Sequence, residues 1–268
     1  MSDQGGLFAR IDVAADPPRI EVPRLYNAAL EFIDRNVVEG HGKQIALIDD
    51  DGCYTYRELC QRVNQAGHVL RAAGAGMEQR VLLCLDGGID FASLFWGAIK
   101  IGAVPVPVNP LLTQDDYAGL INDSRPRVLV AHPEQISHFK STLFQQPLPC
   151  RLLTVDTSRC GAGELARLMA TAPVELKAAA TTADDTAFWL YTSGSTGSPK
   201  AVVHLHRSLI QTAVLCGQNV LGIGPSDRVF SAAKMFFAYG LGNSMSFPFA
   251  VGATSIVSAH RPTAENVL

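Results

Sequence analysis

Short apolar runs alternate with helix-like segments through the middle of the chain, and this alternation limits the fold more than any other feature. The strand-like runs are Val81–Leu85, Val104–Val108, Val128–Val130 and Leu152–Val155. Between the first two runs, Ile89–Ile101 has the length and apolar content of a buried helix. Strands that alternate with helices form βαβ units, whose parallel sheet is covered on both faces. The sequence therefore predicts an α/β fold with mostly parallel sheet layers covered by helices.

The first 21 residues are polar and interrupted by prolines, so we expect an extended or poorly ordered arm. Pro23 is predicted to open a helix with one apolar face. That face is formed by Leu25, Ala28, Ala29, Phe32 and Ile33. Towards the carboxyl terminus, Phe247-Pro248-Phe249 and then 254–257 predict one more strand, and a last helix is predicted to begin near Arg261.

A hairpin and a capped helix are predicted after the first helix. Ile45–Ile48 and Cys53-Tyr54 flank the acidic run 49–52, which is read as a solvated turn rather than a metal site. Thr55-Tyr56-Arg57-Glu58 has the pattern of a capping box. The helix that it begins is predicted to bury one apolar face and to end at Gly74.

A loop rich in hydroxyl residues and glycine lies between two later apolar runs. The loop spans Tyr191–Lys200, and the runs are Phe188–Leu190 and Ala201–Val203, which predicts strand, tight loop and strand. Glycine lets backbone N–H groups converge on an anion, hydroxyls add neutral donors, and Lys200 adds a positive charge. The spacing differs from Walker A, because two residues separate Gly197 from the lysine. A phosphate-binding loop is favoured over a solvated linker.

Composition excludes several classes of function. The net charge of the 268 residues is −3, and no dense Lys/Arg run occurs, which disfavours nucleic acid and anionic membranes as partners. The first ten residues lack the order of a signal peptide, and Phe91–Val108 is too interrupted to span a membrane. A cytoplasmic protein is predicted. The six cysteines contain no C-x-x-C pair, so buried reduced thiols are predicted rather than a zinc site.

Two histidines and an aromatic segment remain open on composition alone. His204 and His206 alternate as strand neighbours would, but they lack a third ligand, so a structural role is favoured over a metal site. The helix after them is predicted over about 208–221. Ser231–Asn243 combines adjacent phenylalanines, a tyrosine and glycines that would let backbone approach a flat ligand. It fits either a slot for a planar ring or a core segment with a glycine turn.

The Tyr191–Lys200 loop closely resembles the signature loop of the adenylate-forming superfamily, which includes acyl-CoA synthetases, although Ala201 stands where the family usually has glycine. Tyr54–Leu59 and Trp96–Val108 resemble its first and second core motifs. Lys-Met-Phe-Phe-Ala-Tyr-Gly-Leu-Gly-Asn, at 234–243, is similar to the corresponding segment of benzoate–CoA ligases. This last resemblance favours the planar-ring slot.

The resemblance implies a set of site residues. The ATP phosphates would be bound by Thr192, Ser193, Gly194, Ser195, Thr196, Gly197 and Lys200. Thr192 would support the loop, and Lys200 would anchor an outer phosphate. The acyl pocket would be lined by Ala238, Tyr239 and Gly240, with Phe237 a further candidate. No catalytic residue and no metal ligand is assigned within the chain.

The implied reaction joins benzoate, or a similar ring carboxylate, to ATP with Mg²⁺ and then to coenzyme A. Attack of the carboxylate on the α-phosphate gives an acyl-adenylate and pyrophosphate, and AMP then leaves in favour of a thiol. The alternatives are a ligase for another aromatic or alicyclic acid, a non-catalytic nucleotide-binding module, and an incomplete fold that only associates with partners. A homodimer is left open.

The resemblance covers the front portion of the family only. It implies an arm at 1–21 and a partial N-terminal AMP-binding domain at 22–268. Within that domain, about 78–221 would form a first α/β lobe with the phosphate loop. Residues 22–77 and 222–268 would form an incomplete second lobe. The family's C-terminal domain is expected to be absent, so the chain is expected to be a fragment that does not complete the reaction alone.

Overall fold

The computed structural model of the chain describes residues 6–143, 150–155, 163–192, 199–260, 262–263 and 265. Its strands are β1 (Arg10–Asp12), β2 (Arg19–Glu21), β3 (Ile45–Asp49), β4 (Gly52–Thr55), β5 (Arg80–Cys84), β6 (Val104–Pro107), β7 (Val128–Ala131), β8 (Arg151–Thr154), β9 (Thr186–Thr192), β10 (Lys200–Leu205), β11 (Arg228–Phe230) and β12 (Thr254–Ile256). Its α-helices are α1 (Arg35–Val38), α2 (Tyr56–Ala72), α3 (Gly88–Lys100), α4 (Gln114–Ser124), α5 (Ile136–Leu143), α6 (Glu164–Thr171), α7 (His206–Thr212), α8 (Ala238–Leu241) and α9 (Phe247–Val251). Wider π-helical turns occupy Leu30–Asp34, Ala213–Gln218 and Gly242–Ser246, and 3₁₀ turns occupy His41–Lys43 and Pro133–Gln135.

A four-stranded parallel sheet forms the centre of the fold, in the order β6-β5-β7-β8. The predicted parallel α/β sheet is therefore confirmed. Alternate side chains of β5 enter two different hydrophobic clusters: Val81 and Leu83 enter one, whereas Leu82 and Cys84 enter the other. Both faces of the sheet are thus buried, which explains why its strands read as continuous apolar runs.

The hairpin of β9 and β10 lies against β6 but belongs to a separate two-stranded antiparallel sheet. The backbone N–H groups of Val104 and Val108 point towards the β5 side, where they donate to Gln79 O and Leu83 O. The intervening Pro105 and Pro107 face the other way and have no N–H to donate. The hairpin is consequently held by side-chain packing.

A second four-stranded sheet has the order β11-β12-β3-β4 and joins distant parts of the chain. β11, β12 and β3 run parallel, and β3 pairs with β4 as the predicted hairpin. The predicted capping box is also confirmed, because the Thr55 side chain accepts from Glu58 N while the Glu58 carboxylate accepts from Thr55 N. α2 follows it and ends before Gly74, which has a φ of 95°.

The amino-terminal segment differs from the prediction in two ways. Part of the predicted arm forms an antiparallel hairpin, β1 with β2. The first helix begins at residue 28 rather than at Pro23, and Leu25 is 60% exposed. Residues 24–26 cannot join the helix because their backbone pairs with 181–183, where Tyr26 N donates to Thr181 O at 2.9 Å. The other four predicted positions, Ala28, Ala29, Phe32 and Ile33, are fully buried.

Two predictions nearer the carboxyl terminus also need correction. Phe247-Pro248-Phe249 begins helix α9 instead of a strand, because Pro248 is tolerated in a first helical turn and Gly252, with a φ of 77°, ends the helix. β12 forms as predicted. The helix expected over about 208–221 begins at His206 and continues as the π-helical turn Ala213–Gln218.

The cysteines are less uniformly buried than predicted. Cys84 is fully buried, and burial raises the pKa of its thiol to about 12. Cys60 and Cys150 are half-buried, and burial raises the pKa of each to about 11. Cys53 and Cys216 are exposed, which contradicts the prediction for these two, while Cys160 lies outside the described residues.

Helices α2 and α3 approach each other closely at two glycines. A Cβ added at Gly97 would lie 2.9 Å from both Gly67 N and Val63 O. These are backbone atoms of the facing helix, so they cannot move aside as a flexible side chain could. The crossing therefore requires glycine at position 97.

Gly97→Ala is expected to destabilise the chain by about 1–3 kcal/mol, because α2 and α3 must separate to admit the methyl group. Gly119→Ala in the exposed part of α4 is the matched control, since nothing lies within 4 Å of its added Cβ. Alanine should stabilise that helix by about 0.5–1 kcal/mol. Urea unfolding of both variants measures the difference. Equal effects at the two glycines would contradict the close helix crossing.

Candidate functional site

The predicted phosphate loop lies, in sequence, between the paired strands β9 and β10. Lys200 pairs with Thr192 at the loop end of the two strands, and both residues are exposed. The structure thus confirms the two predicted strands and brings Thr192 opposite Lys200. The predicted phosphate-binding residues Ser193, Gly194, Ser195, Thr196 and Gly197 lie outside the described residues, so their role stays a prediction.

Packing on both faces of β9 fixes the base of this hairpin. The Phe188 ring is buried, stacks on His204 of β10 with centroids 4.4 Å apart, and meets the Phe95 ring of α3 edge-on. On the other face, Tyr191 donates to the Asp123 carboxylate at 2.6 Å. Because β9 is anchored on both faces, Thr192 at its end has a defined position, and so does Lys200, which pairs with Thr192 from β10.

The two histidines have different positions and are not strand neighbours. His204 lies in β10, whereas His206 begins α7 and is fully buried. The Nδ1 atom of His206 accepts the Ala28 N–H at 3.1 Å, and burial lowers the pKa of this ring to about 4. A neutral imidazole that accepts a backbone N–H supports the favoured structural role, because it ties α7 to the first helix.

The aromatic segment turns its residues in two directions. Phe236 is buried in the main hydrophobic cluster, whereas Phe237 and Tyr239 are 51% and 72% exposed. Ala238 is exposed and begins α8, and Gly240 is buried. The predicted acyl-pocket residues 237–239 thus form one exposed group, with Gly240 packed beneath it.

The glycines of this segment approach protein atoms rather than open space. A Cβ at Gly240 would overlap the carbonyl oxygen of Lys234 and lie 2.5 Å from that of Ala233. A Cβ at Gly242 would lie 2.9 Å from the Phe247 ring. The sequence predicts that both glycines let the backbone approach a flat ligand. In the structure, they allow the segment to fold back on its own chain.

A cavity of about 300 Å³ lies near this segment, at the carboxyl ends of β5 and β7. β5 connects towards β6 and β7 towards β8, on opposite sides, so this is the topological switch point where open α/β sheets bind ligands. The cavity is lined by Asp49, Asp50, Asp51, Asp86, Gly87, Gly88, His132, Glu134, Val257, Ala259 and His260. Met235 packs against Gly87 at its edge. The lining includes none of the predicted site residues.

Lys234, in the aromatic segment, is a polar residue for which the sequence predicted no role. Lys234 donates from Nζ to the carbonyl oxygens of Ser258 and His260, each at 2.6 Å. The sequence did contain one sign of a role for Lys234, because it is a lone charged residue inside the apolar run 232–237.

The acidic turn at 49–52 makes hydrogen bonds as well as facing solvent. The Asp49 carboxylate accepts from Ile89 N, at the start of α3, and from Asp51 N and Gly52 N.

The two four-stranded sheets, largely parallel and packed with helices, and the adjoining β9–β10 hairpin define an α/β protein. The chain belongs to the AMP-binding enzyme family, which it matches over residues 34–268. It is 49% identical to the benzoate–CoA ligase of Thauera aromatica over 255 residues, which are 94% of this chain and 48% of that protein. The chain spans about half the length of the relatives it matches.

Solved structures of CoA ligases also match this chain. The benzoate CoA ligase of Burkholderia xenovorans LB400 superposes with a TM-score of 0.81 at 40% identity, over 91% of this chain and 47% of that one. The anthranilate CoA ligase AuaEII, in complex with anthranoyl-AMP, superposes with a TM-score of 0.83 at 32% identity, over 92% and 47%. These matches confirm the predicted fold of the family's N-terminal portion. Within the described residues, no helix is both long and apolar enough to cross a bilayer.

Proposed function

We propose that this chain supplies the ATP- and acid-binding half of an enzyme that activates benzoate, or a similar ring carboxylate, for transfer to coenzyme A. The similarity to benzoate–CoA ligase over nearly the whole chain carries the proposal. The exposed pair Phe237 and Tyr239 supports it, because aromatic side chains offer a planar ring offset or edge-on contacts. The activity is proposed for this chain together with the half that its relatives have in addition.

The loop's chemistry fits the first half of the reaction. Attack of a carboxylate on the α-phosphate of ATP releases pyrophosphate, whose developing charge needs fixed donors. We propose that the hydroxyls of Ser193, Ser195 and Thr196 and the backbone of Gly194 and Gly197 hold the outer phosphates, with Lys200 on an outer oxygen. Mg²⁺, bound with ATP, supplies further charge neutralisation. The acyl-adenylate then yields the CoA thioester and AMP.

We also propose the two-lobed organisation given by the resemblance. About 78–221 would form the first lobe, which accords with the sheet β6-β5-β7-β8 and the β9–β10 hairpin. Residues 22–77 and 222–268 would form the second, which accords with a sheet that takes β3 and β4 from one segment and β11 and β12 from the other. Neither nucleic acid nor an anionic membrane is proposed as a partner, because the net charge is −3 and no dense Lys/Arg run occurs. A cytoplasmic site of action is proposed because the longest apolar stretch, Phe91–Val108, is too interrupted to span a membrane.

A chimera tests the function directly. Residues 1–268 are joined to the remaining half of the Thauera aromatica relative, which is 49% identical across the matched half. We expect ATP–pyrophosphate exchange that depends on benzoate, followed by benzoyl-CoA formation when CoA is added. A panel of ring acids then ranks the substrates. Nucleotide binding without exchange for any acid, while the unmodified relative is active, would favour a non-catalytic module.

Tyr239→Ala in this chimera is expected to raise the KM for benzoate about tenfold and to leave the KM for ATP unchanged. The loss corresponds to about 1.4 kcal/mol, near the upper value for one aromatic contact. Val13→Ala, another exposed side chain at 56%, serves as control. An unchanged benzoate KM in the tyrosine variant would remove Tyr239 from the acyl pocket.

A further inference from the structure

Lys234 holds a backbone turn that lies 24 residues further along the chain. Its ammonium donates to Ser258 O and to His260 O, each at 2.6 Å. Hydrogen bonds from a charged donor are roughly twice as strong as neutral ones. Burial lowers the pKa of Lys234, while the nearby carboxylates of Asp86 and Asp50 raise it and so favour the charged form. The side chain is therefore a connection between two segments, and we call residues 258–260 the acceptor turn.

The acceptor turn is itself fixed to the second sheet. The Asp50 carboxylate, on the β3–β4 turn, accepts from Ala259 N at 2.7 Å and from the Ser258 hydroxyl at 3.1 Å. Just before the turn, Val257 N donates to Ile48 O at 2.9 Å, continuing the pairing of β12 with β3. Lys234 binds the carbonyls of the turn, and Asp50 binds its donors. The Lys234 ammonium is thus hydrogen-bonded to a turn that is fixed to the second sheet.

The backbone of Lys234 organises the other end of the connection. Its carbonyl oxygen accepts from Phe237 N at 3.0 Å, and the Phe237 carbonyl then accepts from Leu241 N at 2.8 Å. Gly240 packs directly on the Lys234 carbonyl, where no larger residue fits. This fold-back turns Phe237, Ala238 and Tyr239 outward. The same residue therefore shapes the exposed aromatic group and fastens it to the sheet.

We propose that Lys234 is a positioning residue for the ring acid: its ammonium ties the aromatic segment to the acceptor turn and so holds Phe237 and Tyr239 in place. This inference rests on the proposed function. Lys234 acts through the backbone of its own segment and not by contact with the acid. A binding wall held by a second layer of hydrogen bonds loses less freedom when its ligand arrives.

Hydrogen exchange in the 268-residue chain tests the connection without any substrate. Lys234→Met is expected to speed exchange of the Phe237 and Leu241 amides by about tenfold or more, which corresponds to about 1.4 kcal/mol of lost local stability. Lys234→Arg retains the charged donors and should restore protection. Lys43→Met removes an exposed lysine elsewhere and should change nothing. Unchanged exchange at 237 and 241 in the methionine variant would overturn the proposal.

A second variant and a kinetic measurement test the role of Lys234 further. If Lys234→Met abolishes cooperative unfolding, Lys234→Gln is measured in its place, with the same expected loss of protection at 237 and 241. In the chimera, loss of the connection should raise the KM for benzoate about tenfold with the KM for ATP unchanged. Faster exchange without a change in benzoate KM would overturn the positioning role. An inactive chimera would reject the proposed function. The hydrogen-exchange result would still show whether Lys234 holds the aromatic segment to the acceptor turn.

Discussion

Lys200→Ala should lower benzoate-dependent ATP–pyrophosphate exchange of the chimera by about 10²- to 10³-fold, the loss typical when one fixed donor to a developing anion is removed. Lys200 begins β10 opposite Thr192, at the place where the hairpin opens into its loop. The base of that hairpin is anchored by Phe188 and Tyr191. A charge held at this position can stabilise departing pyrophosphate without reorganising when the reaction occurs.

The variant should fold normally, which separates a catalytic loss from a structural one. Lys200 is exposed, and surface substitutions of this kind change the free energy of unfolding by about 0.5 kcal/mol or less. Lys177→Ala, at another exposed lysine, is the matched control and should retain full exchange. Lys200→Arg keeps the charge in a different shape and should recover part of the rate. Normal pyrophosphate exchange in the alanine variant would exclude Lys200 from the phosphate site.

The parallel sheet could be predicted because its information is local. Val81–Leu85 is apolar at every position since both faces of β5 are buried, and Ile89–Ile101 is long enough to be a helix. The phosphate-binding role predicted for the loop also rests on local information, because glycine, hydroxyls and a closing lysine are the donors that a phosphate needs and they are contiguous. Neither feature depends on distant parts of the chain.

The failures lie where distant segments decide the outcome. Residues 24–26 look helical but pair with 181–183, more than 150 positions away, and that pairing removes Leu25 from the helix. Lys234 had no visible role because its partners are two backbone carbonyls in the acceptor turn. Gly240 stays a predicted pocket residue, and the structure adds that a side chain is excluded there by the Lys234 carbonyl. Sequence patterns do not report backbone neighbours of this kind.

A buried ion pair gives the largest stability effect that we expect. Lys100 ends α3 and is fully buried, and its ammonium donates to both Asp34 carboxylate oxygens, at 2.7 and 2.8 Å, and to Asn64 Oδ1 at 2.6 Å. Asp34 closes the π-helical turn of the first helix, and Asn64 lies in α2. The pair thus joins three helices through one ammonium. Its desolvation is costly, so each partner depends on the other.

Asp34→Asn is expected to destabilise the chain by about 3–5 kcal/mol, because it leaves the buried ammonium without a counter-charge. Lys100→Met should cost less. The Asp34 side chain is 24% exposed and can take up a proton, since burial already raises its pKa and Lys100 only partly opposes this. Combining Lys100→Met with Asp34→Leu should recover much of the loss, because an apolar pair needs no charge compensation. Urea unfolding of the three variants supplies the comparison.

The pH dependence of Lys100→Met gives this interpretation a second test. Without the ammonium, the folded-state pKa of Asp34 lies further above its unfolded value of about 3.9, because burial raises the pKa and only a backbone hydrogen bond still opposes it. The folded state then binds more protons than the unfolded state between those two pKa values. Stability of the variant must therefore fall as pH rises through that interval, and its deficit relative to the parent chain should be smaller at pH 5 than at pH 8. A deficit that is constant across this range, or that shrinks towards pH 8, would show that the Asp34 carboxylate is solvated enough to need no partner.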